Sequence, residues 1–585
     1  MKALAIHIGH NATAAIMEEG TVLGVLSQEK VDGIKNSAEF PIGAANFLCD
    51  QVGWSLADID NVVISSRQIY RPEAFATVTD RKQRKYSTNP LVAFARWLER
   101  LFGKFAPAPF DIARAFLRRR QQASGNAYLE ECLHEAGLGR KPITRFDHHL
   151  CHARAAYHCY STRKDEAVLV FTLDGEGDGI CATVTKVTPD GKWARLAETA
   201  AHDSLGWIYS STTRFLGMRM IEHEYKVMGL APYAKHYYRE TYDRLFAPAI
   251  FLPEGSLSFR SPFNTAHFYD YLVENAVGER FDNLAASVQH LVEERVTQWV
   301  ERAIAQTGIR RVATGGGVFM NVKLNKRLQE LAAVERIEFM PSAGDESLPI
   351  GALYELAARQ SQPAQPLHDL YLGPAYSETE LENFITKTLS NGRYYIERIE
   401  GIEARIAKLI ANGEIVARFA GRAEWGARSL GNRAILAHPS LMESYYTVNN
   451  LIKARDFWMP FAPTILDRFA SEYLKDYDSS KTDASYMITA FTVTENAAPK
   501  LRAALHQGDL TVRPQVLYRS ANADYYDLVE RFCELTGVGA ILNTSFNLHG
   551  QPLVATPAQA LYTFDNSGLI NLALGPFLIR KFSGK

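Results

Sequence analysis

Residues 2–29, KALAIHIGHNATAAIMEEGTVLGVLSQE, read as three strands joined by two tight turns. KALAIHIG is an apolar run that breaks at the polar turn HNA. TAAIMEEG follows, then TVLGVLSQE, with Glu-Gly between them as turn chemistry. Residues 167–200 repeat the layout as AVLVFTLDG, EGDG, ICATVTKVTPDG and KWARLAETA. Self-similarity of this kind points to one supersecondary unit used twice. Helical stretches follow each copy, so the pattern predicts a duplicated α/β domain with two polar first turns. His10 and Asn11 lie in the first of those turns.

Just before the second copy comes FDHHLCHARAAYH, residues 146–158. His148 and His152 stand four apart, which on a helix puts them on one face about 6 Å apart. The strand VLVFTLDGEGD offers Asp174 and the later segment PSAGDES offers Asp345. Two imidazoles and two carboxylates suit a divalent first-row metal ion. His149 and His158 read as polar or core histidines, and Cys151 as a packing residue off the ligand face. A histidine such as His10, near its ordinary pKa, can accept a proton from an attacking hydroxyl. RRVATGGGVFMNVKLNKRLQE reads as strand, glycine turn and helix, a form that lets backbone approach a nucleotide at Gly316 and Gly317.

The chain of 585 residues is long enough for two or more domains. A net charge of −1 gives no global attraction for nucleic acid. Six cysteines without a CxxC pair argue against a zinc ribbon or a disulfide framework and fit a reducing cytoplasm. The start of the chain reads as neither signal peptide nor anchor, and no run has membrane-spanning length. Residues 80–120 stand apart, with eleven Lys/Arg against three acids and apolar residues at helical spacing. They predict an amphipathic helix with a basic face. Residues 358–374, ARQSQPAQPLHDLYLGP, read as a linker. The division expected is 1–360, a linker 361–374, and a mixed α/β domain 375–585.

That last domain gathers cations among glycines and aromatics. GRAEWGARSLGNRAIL supplies Arg422, Arg428 and Arg433; NNLIKARDFWMPFAP supplies Lys453 and Arg455; LTVRPQVLYR supplies Arg513 and Arg519. ILNTSFNLHGQP adds Asn543, Thr544, Ser545 and Asn547. Guanidinium forks match phosphate oxygens in pairs, and polar turns donate backbone N–H groups to anions. The set outlines a triphosphate or acyl-phosphate pocket. Lys35, in QEKVDGIKNSAEFP, is placed to reach the same anion.

Taken together, GHNATAAI, HHLCHA, LDGEGD, EYKVMGLAPYA, GGGVFMN, GDES, GRAEWGARSLGNRAIL, NNLIKARDFWMPFAP and LNTSFNLHGQPLVATP resemble the O-carbamoyltransferase family of antibiotic and nodulation-factor biosynthesis over nearly the whole chain. The resemblance implies an α/β and α+β protein. It would have a duplicated actin-like N-terminal domain, similar to that of the tRNA threonylcarbamoyl-transfer enzymes, and a YrdC-like C-terminal domain. It implies ATP with Mg²⁺, carbamoyl phosphate, and one divalent transition metal, iron(II) by preference, with zinc or manganese also suited to the ligands. The C-terminal domain would form carbamoyl-AMP, and a hydroxylated small molecule would receive the carbamoyl group at the metal.

Carried over position by position, the ligands are His148, His152, Asp174 and Asp345, and His10 assists deprotonation of the acceptor. Arg428, Lys453, Arg513 and Ser545, with Arg455 and Asn543 beside them, handle carbamoyl and nucleotide phosphates. Gly316, Gly317 and Asn321 form the nucleotide-side turn. Asn11 stands where the family has Asp, Ser347 where it tends to have Gly, and the segment before Lys35 lacks the usual arginines. The resemblance implies no nucleic-acid partner and leaves a homodimer open. Two other readings compete: a tRNA threonylcarbamoyl-modification enzyme, against which the neutral charge speaks, and a non-catalytic actin-like protein that closes around a nucleotide.

Overall fold

The computed structural model describes residues 1–73, 107–159, 165–389, 392–453 and 455–582. The basic stretch 80–120 lies outside them, except that the backbone of 107–120 opens the helix Pro107–Glu135.

The first sheet contains β1 (Lys2–His7), β2 (Thr13–Glu18), β3 (Thr21–Ser27), β4 (Asn61–Ile64) and β5 (Ile143–Arg145), in the order β3-β2-β1-β4-β5. The first three strands form the antiparallel meander read from the sequence, and β4 and β5 add in parallel. The second sheet contains β6 (Val168–Gly177), β7 (Ile180–Val187), β8 (Trp193–Ala200), β9 (Arg311–Gly315) and β10 (Arg336–Phe339). Its order, β8-β7-β6-β9-β10, reproduces the first, again with β7 and β8 antiparallel and β9 and β10 parallel. The internal repeat is therefore a repeat of topology, the duplication expected of an actin-like layout.

Between the sheets pack two helices, His148–His158 and Leu348–Arg359. They meet at unusually close range: a Cβ on Gly351 would lie 1.8 Å from the Cys151 carbonyl oxygen. No side chain fits there, so glycine at 351 sets the separation. This contact brings the segment just before the second helix, Asp345–Ser347, over the two histidines of the first.

The third sheet contains β11 (Tyr394–Arg398), β12 (Val416–Phe419), β13 (Arg433–Ala437), β14 (Ala462–Leu466), β17 (Gln515–Leu517), β18 (Ala540–Ser545), β19 (Asn571–Leu574) and β20 (Phe577–Lys581). Their order is β11-β20-β19-β12-β13-β18-β14-β17, and a separate pair joins β15 (Phe491–Thr492) to β16 (Thr511–Val512). The helices Ile402–Ala411 and Ala523–Thr536 cover one face. Pro557–Asp565 and Glu378–Thr388 pack into the other core.

Residues 361–374 hold no regular element, yet they are not a free tether. They run along the edge of the first sheet, where Val25 N–H donates to Leu372 O at 3.0 Å and Gln365 N–H to Gly20 O at 2.9 Å. Further bonds tie the third sheet's region to the rest. Asn325 donates to Ile488 O at 2.6 Å, Gln559 to Lys30 O at 2.9 Å, and Trp458 to Lys226 O at 3.1 Å, while Lys226 pairs with Asp456 at 3.0 Å. No helix among the described residues is long and apolar enough to cross a membrane.

Candidate metal centre and interdomain cleft

Asp147 caps the helix that starts at His148, accepting from Leu150 N–H at 2.8 Å. The cap fixes the first turn, so the helical period places His148 and His152 side by side with ring centroids 4.8 Å apart. Asp174 comes from the end of β6 and Asp345 from the turn before Leu348–Arg359. One ligand atom from each of the four lies within 4.8 Å of all the others. Asp174 Oδ2 is 3.4 Å from His148 Nε2 and 3.1 Å from His152 Nε2. Asp345 Oδ1 is 3.6 Å and 3.5 Å from the same two nitrogens.

The far nitrogen of each ring has its own partner. Ser66 Oγ lies 3.2 Å from His148 Nδ1 and Ser347 Oγ 3.3 Å from His152 Nδ1. The Ser347 hydroxyl gives its hydrogen to Gly344 O at 2.8 Å, so its oxygen accepts from His152 Nδ1–H and Nε2 is the nitrogen left for a cation. Burial alone would lower the pKa of His152, but hydrogen bonds to Asp174 and Asp345 outweigh it and raise it to about 9. Burial works to raise both aspartates; His148 and His152 reverse this, leaving Asp174 lowered and Asp345 well below the usual range. Two ionised carboxylates and two anchored imidazoles converging on one point fit a divalent transition ion. His149 takes no part. Its nitrogens meet Thr172 Oγ1 and Ile180 O, and burial with the neighbouring His148 and His152 lowers its pKa to about 3.

His10 and Asn11 occupy the turn after β1, with Asn11 at φ +61°. His10 Nε2 is buried without a hydrogen-bond partner, and burial lowers its pKa rather than leaving it near the ordinary value. Asn11 Nδ2 donates to Glu346 at 3.4 Å, and Glu346 in turn accepts from Ser342 Oγ. The glycine turn after β9 packs against the metal-site strand. A Cβ on Gly316, at φ +98°, would meet Leu173 O at 2.4 Å, and one on Gly317 would lie 3.1 Å from Asp174 Oδ1. The Asn321 side chain caps the helix Val322–Glu330 through Leu324 N–H at 3.0 Å.

A second cluster faces this one from the third sheet's side. Lys453 is buried and Arg428, Arg455 and Arg513 are half-buried, and none forms an ion pair with a carboxylate among the described residues. Burial brings Arg428 and Arg455 down to about 10 and leaves Lys453 and Arg513 well below their usual values; for Arg513 the added causes are the charges of Arg428 and Arg455. The Nε atoms of Arg428 and Arg455 have no partner. Lys453 Nζ reaches Ser545 Oγ at 3.2 Å and Asn547 O at 3.0 Å. Lys35 adds to the repulsion on Lys453 while pairing with Glu222 at 3.7 Å. Cations withdrawn from water and held against one another need an anion to offset their desolvation.

Other arginines of the same sequence segments are structural. Arg433 donates to the carbonyls of Pro374, Ala420, Gly421 and Asn432, and Arg422 to those of Leu23, Leu372 and Gly373. Arg519 is an exposed partner of Asp527. Asn543 lies inside the sheet, bonded to Ser429, the neighbour of Arg428, and to Thr464 Oγ1.

The Carbamoyltransferase N-terminus family matches residues 2–354 and the Carbamoyltransferase C-terminus family matches residues 407–581. The chain belongs to the carbamoyltransferase family. It is an enzyme of that class, which replaces the reading as a binding protein without activity. This carbamoyltransferase is 30% identical over 600 residues to nodulation protein NolNO of Sinorhizobium fredii, covering 98% of this chain and 79% of that protein. It is 32% identical over 442 residues to nodulation protein NolO of Bradyrhizobium diazoefficiens, covering 74% and 79% of the two chains. Among solved structures, full-length HypF in its phosphate- and nucleotide-bound form covers 62% of the carbamoyltransferase and 56% of its own chain, at 13% identity and a TM-score of 0.32.

Three polar residues of the carbamoyltransferase site escape sequence reasoning: Ser66, Ser347 and Glu346. Ser347 had a faint signal, as the position where this chain departs from the family's usual glycine. Ser66 and Glu346 had none, because nothing in a lone serine or glutamate tells which imidazole or amide it will meet.

Proposed function

We propose that this carbamoyltransferase uses ATP to activate the carbamoyl group of carbamoyl phosphate as carbamoyl-AMP, then transfers it to a hydroxyl of a small-molecule acceptor, a natural product or a sugar. The observation that supports this reading is the cluster Arg428–Lys453–Arg455–Arg513: largely withdrawn from solvent, without carboxylate partners among the described residues, and linked to the metal-binding group through Ser342 and Glu346. Arg428 is within electrostatic reach of Glu346, the neighbour of Asp345. Before adenylation, water cleaves carbamoyl phosphate into carbamate and inorganic phosphate; a carbamate oxygen then attacks the α-phosphorus of ATP and pyrophosphate leaves. The four cations, with Mg²⁺ on the nucleotide, would neutralise the charge on the phosphates. In transfer the acceptor oxygen attacks the carbamoyl carbon, AMP leaves, and His10 takes the hydroxyl proton. Burial keeps His10 neutral at pH 7, as that role requires.

His148, His152, Asp174 and Asp345 would hold one divalent transition ion: iron(II), zinc or manganese. Such an ion, when bound, polarises a phosphoryl or carbonyl oxygen. Carbamoyl-AMP is a mixed anhydride that hydrolyses, so a closed cleft between the two clusters protects it from water. Residues 1–360 would carry transfer and 375–585 adenylation.

The test is carbamoyl-phosphate-dependent ATP–pyrophosphate exchange, wild type against Lys453→Ala. Exchange that needs carbamoyl phosphate and disappears in the variant supports adenylation at this cluster. Absence of exchange in a wild-type protein that still binds ATP would sink the carbamoyl-adenylate route.

A further inference from the structure

Asp345 turns its two oxygens to different neighbours. Oδ1 faces His148 and His152 at 3.6 and 3.5 Å, whereas Oδ2 lies 3.5 Å from Nε2 of a third imidazole, His7. His7 is the last residue of β1. It is 3% exposed, and its Nε2 is buried with no hydrogen-bond partner of good geometry. The parallel pairing of β1 with β4 ends at Ile6 and Ile64, so His7 comes beside Ser65, whose Oγ lies 3.3 Å from His7 Nδ1. The adjacent Ser66 fixes His148 in the same way. Consecutive serines at the end of β4 therefore orient two histidines of one cluster. The His7 ring stands edge-on to His148, with centroids 6.4 Å apart. A buried imidazole with one nitrogen anchored and the other aimed at a carboxylate oxygen is costly unless that nitrogen acts on the carboxylate.

We propose that His7 is a positioning residue of the metal centre: it restrains Oδ2 of Asp345 and thereby presents Oδ1 to the point shared with His148, His152 and Asp174. The inference rests on reading those four residues as metal ligands. The anionic Oδ2 calls for the ring hydrogen on Nε2, which leaves Nδ1 to accept from the Ser65 hydroxyl in preference to that hydroxyl's 3.4 Å contact with Ile6 O. Without this restraint the carboxylate of Asp345 is free to rotate and offers either oxygen. Outer partners of this kind set ligand orientation, and their loss typically weakens metal binding roughly 10–100-fold.

The experiment measures Co²⁺ binding to metal-stripped full-length protein by competition with a chromophoric chelator, together with the Co²⁺ ligand-field spectrum. It compares wild type, His7→Ala and His7→Gln. His7→Ala should weaken Co²⁺ binding by about 10–100-fold. His7→Gln, whose amide N–H can still donate to Oδ2, should recover most of the loss with the wild-type spectrum. Unchanged affinity in His7→Ala overturns the proposal. So does a loss that glutamine fails to rescue accompanied by a changed spectrum, which would make His7 a ligand instead. A wild-type protein that takes up no Co²⁺ overturns the metal reading itself, and this inference with it.

Discussion

Ser342 Oγ accepts a hydrogen bond from the Ala427 backbone N–H at 3.3 Å, and the same hydroxyl donates to Glu346 beside the metal-binding group. One serine thus joins the loop that carries Arg428 to the loop that carries Asp345. The approach is close because residue 426 is glycine: at φ +94°, a Cβ there would lie 2.6 Å from Ser342 Oγ. Gly426→Ala should therefore cost about 1–3 kcal/mol of stability, from left-handed strain and the clash. It should also open the joint between the two clusters. The expected signature is carbamoyl-phosphate-dependent AMP release that rises in the absence of acceptor, as the adenylate meets water. A lowered Tm with no change in that uncoupled release would leave Ser342–Ala427 a packing contact only.

His148→Ala separates the two half-reactions. It removes one imidazole from the four-ligand group and leaves the Arg428–Lys453–Arg455–Arg513 cluster intact. Transfer to an acceptor identified with the wild-type enzyme should fall by more than the roughly 10–100-fold typical of an outer partner's loss, because a direct ligand is gone. Pyrophosphate exchange should stay near the wild-type rate. Equal loss of both activities would place adenylation at the histidine pair, and retention of both would remove the metal role.

The duplicated sheets were legible because their strands are apolar runs broken by polar or glycine turns, and such a pattern has few other outcomes in a folded chain. The helical spacing of His148 and His152 was legible for the same reason, as a local period. What the sequence hid is decided by tertiary neighbours. Arg428 and Arg433 sit in one glycine-rich segment and look alike. The Nε of each is unpaired, but Arg433, in β13, gives both terminal nitrogens to backbone carbonyls, while Arg428 lies within electrostatic reach of Glu346 beside the metal-binding group. The stretch 358–374 reads as a linker because it lacks periodicity, and that its backbone bonds to β3 and to the turn at Gly20 is something no side-chain pattern announces. His7 reads as an interruption in an apolar strand. Only the β1–β4 pairing and the placement of Asp345 give it a purpose.

Arg513 should show a stability–activity conflict. Its half-buried guanidinium faces the like charges of Arg428 and Arg455. Replacing a charge that is half-withdrawn from water and faces like charges by an apolar chain of similar length relieves both the repulsion and the desolvation. Arg513→Met should raise the Tm of the ligand-free protein while abolishing pyrophosphate exchange. ATP should raise the Tm of the wild type more than that of the variant, since the nucleotide supplies the anion that the cluster lacks. A ligand-free variant less stable than wild type would mean that Arg513 has a structural partner outweighing the repulsion.

Metal binding should be pH-dependent through His152. Its pKa is about 9 in the metal-free protein, above the roughly 6.5 of an unfolded histidine. The sign follows: its interactions with Asp174 and Asp345 contribute stability that is fully present below about pH 6.5 and is lost as pH rises through about 9. An ion at this site needs the neutral ring, so at pH 7 binding must displace the proton from Nε2. Apparent affinity should rise about tenfold per pH unit from pH 7 and level off near 9, with about one proton released at pH 7. Calorimetry of Zn²⁺ or Co²⁺ binding in two buffers of different ionisation enthalpy reads that proton directly. The same titration on His152→Ala should show weaker binding and no such release. A wild-type protein that binds the ion at pH 7 without releasing a proton would mean that His152 is already neutral there, and that its contacts with the aspartates do not carry the charge assigned to them.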